Sequence, residues 1–197
     1  IQKGMQFLEY SSQGKGLLLS SISDESNSKV VVIGCGEVGR ASIDKSIQIG
    51  ASVAAIDLNE EILTELKNKY QDKITTIIGG SEQAKNEIRS ADLVIGAVLL
   101  PGRKPPIVIT EEDINQMEKG TVIIDVAIDQ GGCVENVKPN THSEPFEIRS
   151  GVIVSAIANL PGAVPKTSSI ELSTILQNYI DDLLIEDWFE KYKSNPN

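Results

Sequence analysis

The chain is poor in the residues that build metal centres and disulfide scaffolds: two cysteines, Cys35 and Cys133, and one histidine, His142, in 197 residues. Both cysteines sit inside glycine-rich stretches without metal-ligand spacing, and a single imidazole leaves zinc few partners, so no metal is expected. So few thiols fit a reducing, cytoplasmic compartment. No apolar run approaches the ~20 residues of a membrane span. The first residues, Ile1-Gln2-Lys3-Gly4-Met5, lack the charged-then-apolar order of a signal peptide. A first residue of Ile rather than Met is read as the mark of an excised fragment. Basic residues are outnumbered 18 to 28, a formal net charge of −10 spread along the chain. That balance repels nucleic-acid phosphates, and no basic amphipathic stretch suits a membrane surface, so neither partner is expected.

What is present is an alternation. Hydrophobic residues make up 40% and charged residues 23%, as in a soluble globular protein with one well-cored domain plus appendages. Residues 1–10 carry apolar side chains at helical spacing, and residues 21–29 read as a polar loop. Strand signals fall at 30–33, 52–56, 73–78, 93–98, 121–125 and 152–155. Helix signals fall between them at 38–49, 60–70 with Asn59 as cap, 81–89, and from Thr110 onward with acids in the first turn. Strands of continuous apolar character separated by helices predict an α/β fold, a Rossmann-type doubly wound parallel sheet with flanking helices. Beyond Pro165 the chain reads as helical over 168–184, with a broad apolar stripe. A second amphipathic piece over 185–192 carries Trp188 and Phe189. Such a stripe faces a core or, on the sharper reading, another domain or subunit.

The first chemistry-bearing motif is Gly34-Cys35-Gly36-Glu37-Val38-Gly39, which follows a strand and opens a helix, with Asp57 18 residues beyond its last glycine. Gly34 permits a tight turn, Gly36 lets backbone approach a pyrophosphate, and Gly39 lets helix and strand pack closely. The helix N-terminus offers N–H groups to phosphates. A carboxylate at Asp57 suits ribose hydroxyls and repels a 2′-phosphate, so NAD is expected over NADP. Glu37 is an unusual neighbour for a pyrophosphate, expected to turn outward or to weaken binding. A methyltransferase loop is disfavoured, because Val32 and Ile33 precede Gly34 where an acid is usual.

The second motif is Ile124-Asp125-Val126-Ala127-Ile128-Asp129-Gln130-Gly131-Gly132-Cys133. Asp125 ends a buried strand and is expected to cap local backbone N–H groups. Asp129 lies beyond the carboxyl end of that strand, the edge where open parallel sheets bind ligands, and is placed to orient a water or stabilise a developing cation.

Four segments in order resemble alanine dehydrogenases over nearly the whole chain: Asp92-Leu93-Val94-Ile95-Gly96-Ala97-Val98-Leu99-Leu100-Pro101-Gly102, Val126 to Cys133, Thr141-His142-Ser143-Glu144-Pro145, and Ala158-Asn159-Leu160-Pro161-Gly162-Ala163-Val164-Pro165. The resemblance implies a chain that binds NAD(H) and, with a substrate domain, converts L-alanine, NAD and water to pyruvate, ammonia and NADH. It implies that Gly34, Gly36, Glu37, Val38 and Gly39 meet the pyrophosphate and Asp57 the adenine ribose. Val98, Leu99 and Val108 would flank the adenosine, and Ile128, Asn159, Leu160 and Pro161 would border the nicotinamide end. Asp129 would be the catalytic acid group, working with a histidine and a lysine of the substrate domain. His142 does not match that histidine and is read as a loop residue. Ile62 stands where a basic residue is usual, and Cys133 fits the pattern without an activated thiolate. Residues 1–28 would be a connecting helix and loop from the substrate domain, 29–165 the NAD-binding domain, and 166–197 helices leading back. The chain alone would not turn over alanine or pyruvate, and family members are usually homo-hexamers. Two alternatives stay open: the NAD-binding domain of a proton-translocating transhydrogenase, whose loop usually carries Glu-Asn before Gly-Gly, and a non-catalytic NAD-binding module.

Overall fold

The computed structural model describes residues 1–20 and 28–183, so the loop expected at 21–29, apart from its last two residues, and the amphipathic piece at 185–192 lie outside the described residues. The chain divides into two units, residues 1–158 and 159–197, each taken by itself.

The first unit is built on strands β1 (Lys29–Ile33), β2 (Ser52–Asp57), β3 (Ile74–Ile78), β4 (Leu93–Gly96), β5 (Val122–Asp125), β6 (Glu147–Arg149) and β7 (Val152–Ser155). They form one sheet in the order β3-β2-β1-β4-β5-β7-β6, parallel except for the β6–β7 pair. β4, β5 and β7 are buried at every residue, which is why they read as unbroken apolar runs. Strand order reverses between β1 and β4, the switch point at which such sheets bind ligands. Register brings the strand ends level there: Ile33 pairs with Ile56 and Gly96, and Gly96 with Asp125. The loops carrying Gly34, Asp57, Ala97 and Asp129 therefore leave from one edge.

The helices α1 (Gln2–Leu8), α2 (Glu37–Gln48), α3 (Glu60–Tyr70), α4 (Glu82–Arg89) and α5 (Glu111–Gln116) belong to the same unit. Their starts follow local chemistry. The Asn59 side chain accepts from the N–H groups of Glu61 and Ile62, and that of Ser81 from Ala84. Thr110 and Asp113 form a reciprocal capping box at α5. α2 turns Gly39, Ser42, Ile43 and Ser46 inward, and the small Gly39, Ser42 and Ser46 let its axis lie close to the sheet. α1 packs through Gly4 against Leu93, and Phe7 meets Phe146 edge to face at 5.1 Å. Val31, Ile33, Val94, Ile109, Ile123 and Val154 anchor one core cluster. Each large aliphatic side chain so buried contributes about 1.5–3 kcal/mol.

Three differences from the sequence expectation have physical causes. β4 stops at Gly96 rather than at 98: the Ala97 N–H makes a last ladder bond to the Ile33 carbonyl (2.8 Å), and its partner strand β1 ends there, at Ile33. β6 is a polar, antiparallel edge strand of three residues, too short to show periodicity. The helix expected from 168 starts earlier, as α6 (Pro165–Leu183), with Pro165 at its opening turn where a missing N–H costs nothing.

The second unit consists, among the described residues, of a 3₁₀ turn (Leu160–Ala163) and α6. Ile170, Leu172, Ile175, Leu176, Tyr179 and Ile180 of α6 are all exposed.

Candidate functional site

The glycine loop is held by backbone geometry that side chains would break. Gly34 has φ +88°, and its N–H donates to the Ile56 carbonyl at 2.9 Å. A Cβ there would lie 2.6 Å from the Ala97 carbonyl oxygen, in the adjoining loop. A Cβ on Gly39 would lie 1.9 Å from the Gly34 carbonyl oxygen. Gly36 differs: a Cβ there would meet nothing within 4 Å. Its side faces open space at the N-cap of α2, where no side chain caps the first turn. The leading N–H groups of a twelve-residue helix are thus available to an anion. Glu37 and Val38 follow, both exposed. Arg40, one turn on, pairs with Glu65 at 2.7 Å.

Asp57 stands at the end of β2, half-buried. Its Oδ2 accepts from the Cys35 N–H at 2.7 Å and its Oδ1 from the Asn59 N–H at 2.9 Å. One carboxylate therefore ties the glycine loop to the start of α3, with lone pairs left on both oxygens. Burial, and secondarily the Asp57 charge, push the Cys35 thiol up to about 12, so it is no nucleophile at neutral pH. Leu58, beside Asp57, is 77% exposed, and Leu99 beyond β4 is 64% exposed. Two large apolar side chains are thus held out at this edge, the first of them the leucine directly after the strand-ending acid. Val98 is half-buried against the core. Val108 also packs on the core, but its N–H donates to the Cys133 carbonyl at 2.8 Å, tying it to the second loop.

That second loop opens with a 3₁₀ turn (Val126–Gln130) and continues through Gly131 (φ +106°) and Gly132 (φ +75°). Asp125 is fully buried and closes it. Its Oδ1 accepts from the Ala127 N–H at 3.0 Å, and its Oδ2 from those of Cys133 at 2.8 Å and Val134 at 3.0 Å. The Cys133 thiol lies 3.5 Å from Oδ1, and burial together with that charge drives its pKa well above the usual range. The expected capping role of Asp125 thus extends nine residues beyond its own strand end, to Val134. Ile128 is buried within the loop, whereas Asp129 is exposed and free of ion pairs among the described residues. The stem of Lys104 lies over Gly131.

Asn159, Leu160 and Pro161 open the second unit, with Asn159 in the left-handed region at φ 56°. His142 lies on an exposed turn where Thr141 and Ser143 hydroxyls share a hydrogen bond of 3.0 Å. Just before it, Asn140 Oδ1 accepts from the Ala156 N–H at 2.8 Å, and the Asn140 N–H donates to the Ala156 carbonyl. This staple joins distant segments and had no signature in the sequence. No group of three or more His, Cys, Asp or Glu side chains among the described residues is arranged to hold a metal ion.

A glycine loop at a helix N-terminus, a carboxylate one strand over and a switch point between them define a dinucleotide-binding α/β domain. Comparison narrows the class. The family model "Alanine dehydrogenase/PNT, C-terminal domain" matches residues 1–196, and the chain belongs to this family, whose cofactor is NAD. The alanine dehydrogenase of Staphylococcus haemolyticus is 40% identical over 195 residues, covering 98% of this chain and 52% of that protein. That of Bacillus subtilis is 44% identical over 179 residues, covering 90% and 47%. A solved L-alanine dehydrogenase superposes with a TM-score of 0.90 at 36% identity, covering 97% of this chain and 54% of the other. A transhydrogenase from Sinorhizobium meliloti shares the fold, with a TM-score of 0.69 at 22% identity over 85% of this chain and 50% of its own. The chain thus spans about half the length of the curated relatives it matches.

Proposed function

We propose that this chain is the NAD(H)-binding half of an L-alanine dehydrogenase. The observation that carries the reading is one sheet edge with three features. It bears an open Gly36 at an uncapped helix N-terminus, a half-buried carboxylate at Asp57 at the end of β2, and an exposed carboxylate at Asp129. The pyrophosphate would lie on the first turn of α2, along Gly34, Gly36, Glu37, Val38 and Gly39. The adenine ribose would meet Asp57, with Val98 and Leu99 beside the adenosine and Leu58 added to them. Val108, whose N–H is tied to the second loop, would flank the adenosine as well. Ile128 and Asp129 would border the nicotinamide end; for Asn159, Leu160 and Pro161, in the second unit, that role is what the family resemblance implies.

The reaction takes L-alanine, NAD⁺ and water to pyruvate, ammonium, NADH and a proton. The bound nicotinamide supplies the hydride acceptor for the Cα hydrogen of alanine. Water then adds to the iminium carbon of the substrate, and ammonia leaves. Asp129 would hold and orient that water and balance the positive charge of the iminium, a role suited to an exposed carboxylate without a counter-ion. Groups that take and return protons at the substrate belong to a substrate-binding domain, so this half alone does not turn over alanine; holding both partners in register supplies much of such a rate. The apolar stripe of α6 supports a homo-oligomer, a hexamer by resemblance, and the thiol chemistry suits the cytoplasm.

The test is Asp129→Asn in the protein that joins this chain to its substrate domain. Turnover falls by orders of magnitude while NADH affinity stays within a few-fold. Equal loss of both contradicts a catalytic role for Asp129.

A further inference from the structure

We infer that Asp125 is a positioning residue for the nicotinamide end of the site, acting through the loop that carries Ile128 and Asp129. The inference rests on the cofactor reading above.

Asp125 is the one fully buried carboxylate among the described residues, with a relative exposure of 0%. No cation neutralises it: none of its hydrogen bonds comes from Lys, Arg or His. An isolated carboxylate in such a place costs several kcal/mol, unless N–H donors surround it. Here three backbone N–H groups do so, from Ala127 at the loop's start and from Cys133 and Val134 at its end. The carboxylate thus clamps both stems of the loop to the end of β5. A neutral hydrogen-bonding residue does not reproduce this. Both oxygens accept, so an asparagine must aim its NH₂ at a donor whichever way it turns.

Neighbouring contacts leave the clamp no slack. A Cβ on Gly132 would lie 2.9 Å from Asp125 Oδ2 and 2.4 Å from a Val137 methyl. A Cβ on Gly96 would lie 2.5 Å from the Cys133 sulfur. The loop between these fixed points presents Asp129 outward and Ile128 inward. This form fixes both residues relative to the end of β5. The glycine loop shares none of these bonds and is tied instead by Asp57. The two ends of the dinucleotide should therefore separate experimentally.

The test is a pair of titrations, with NADH and with ADP-ribose, which keeps the adenosine and pyrophosphate but lacks nicotinamide. Both are run on the unmodified chain and on Asp125→Asn. The variant is expected to lose about tenfold in NADH affinity, the scale of one charged hydrogen bond. ADP-ribose binding stays within about twofold, and the emission of bound NADH moves toward that of free NADH. Equal weakening of both ligands, or no change in either, overturns the inference. If the unmodified chain binds neither ligand, the cofactor reading itself has failed and the positioning role falls with it. Hydrogen exchange on the unmodified chain tests the clamp whether or not the variant folds. The amides of Ala127, Cys133 and Val134 should exchange as slowly as those of β5. Exchange at the rate of the exposed loop at residues 99–104 overturns it.

Discussion

Two glycine-rich loops leave the same sheet edge, each held by an aspartate, and the two aspartates are used differently. Asp57 binds one N–H of its loop, through Cys35, and keeps lone pairs and partial exposure at the rim. Asp125 is wholly enclosed and spends its oxygens on three N–H groups and a thiol. The first carboxylate can exchange a backbone partner for a ligand; the second can serve only the shape of its loop. Residue type and loop composition are alike, so availability to a ligand follows from burial and partner count. The exposed acid of the second loop is Asp129, the residue that the clamp presents.

The sharpest way to break this comparison is within the first loop, where two glycines serve opposite ends. Gly39→Ala places a methyl 1.9 Å from a backbone oxygen. It should destabilise the fold by about 1–3 kcal/mol or more, the cost of overpacking, seen as a lower Tm with cofactor binding lost alongside. Gly36→Ala meets no atom within 4 Å and has φ −71°, which alanine adopts freely. Its Tm should hold while NADH affinity falls at least about tenfold, as the backbone can no longer approach the pyrophosphate. If Gly36→Ala binds normally, the glycine loop is a turn and not a phosphate cradle.

A smaller effect compares the loops through their thiols. Burial and the adjacent carboxylates raise both, Cys35 to about 12 and Cys133 further, so neither should react with a disulfide reagent at pH 8. As denaturant is added below the global transition, Cys35 should react first, because its loop has one carboxylate bond rather than three. Simultaneous reaction would make the loops equally firm. The smallest effect is a control outside both. Burial raises the Asp113 carboxyl, but hydrogen bonds from Thr110 and the Arg89 ion pair outweigh it, and the group lies below its ordinary value. Its contribution is present above the unfolded value of about 4 and is lost as pH falls through the lowered folded one. Asp113→Asn should thus flatten the acid limb of stability, with NADH binding unchanged.

Much of this was readable in the residues. Unbroken β-branched runs marked the strands buried on both faces, and Asn59 and Thr110 marked helix starts with their own side chains. The glycine spacing marked the first loop as a strand-to-helix turn with Asp57 at the end of the next strand, and β1, α2 and β2 have that arrangement. What could not be read depends on contacts between distant segments. β6 is defined only by its partner β7, and Asn140 only by the backbone of Ala156. Asp125 looked like a local cap because its second pair of donors, at Cys133 and Val134, returns to it only when the loop closes.

The central claim is that this edge binds NAD(H) and reads its ribose through Asp57. A calorimetric titration with NADH, repeated with NADPH, tests it most directly. The account predicts binding of NADH and little or none of NADPH, whose 2′-phosphate would face the Asp57 carboxylate. Equal binding of both, or of neither, would contradict it.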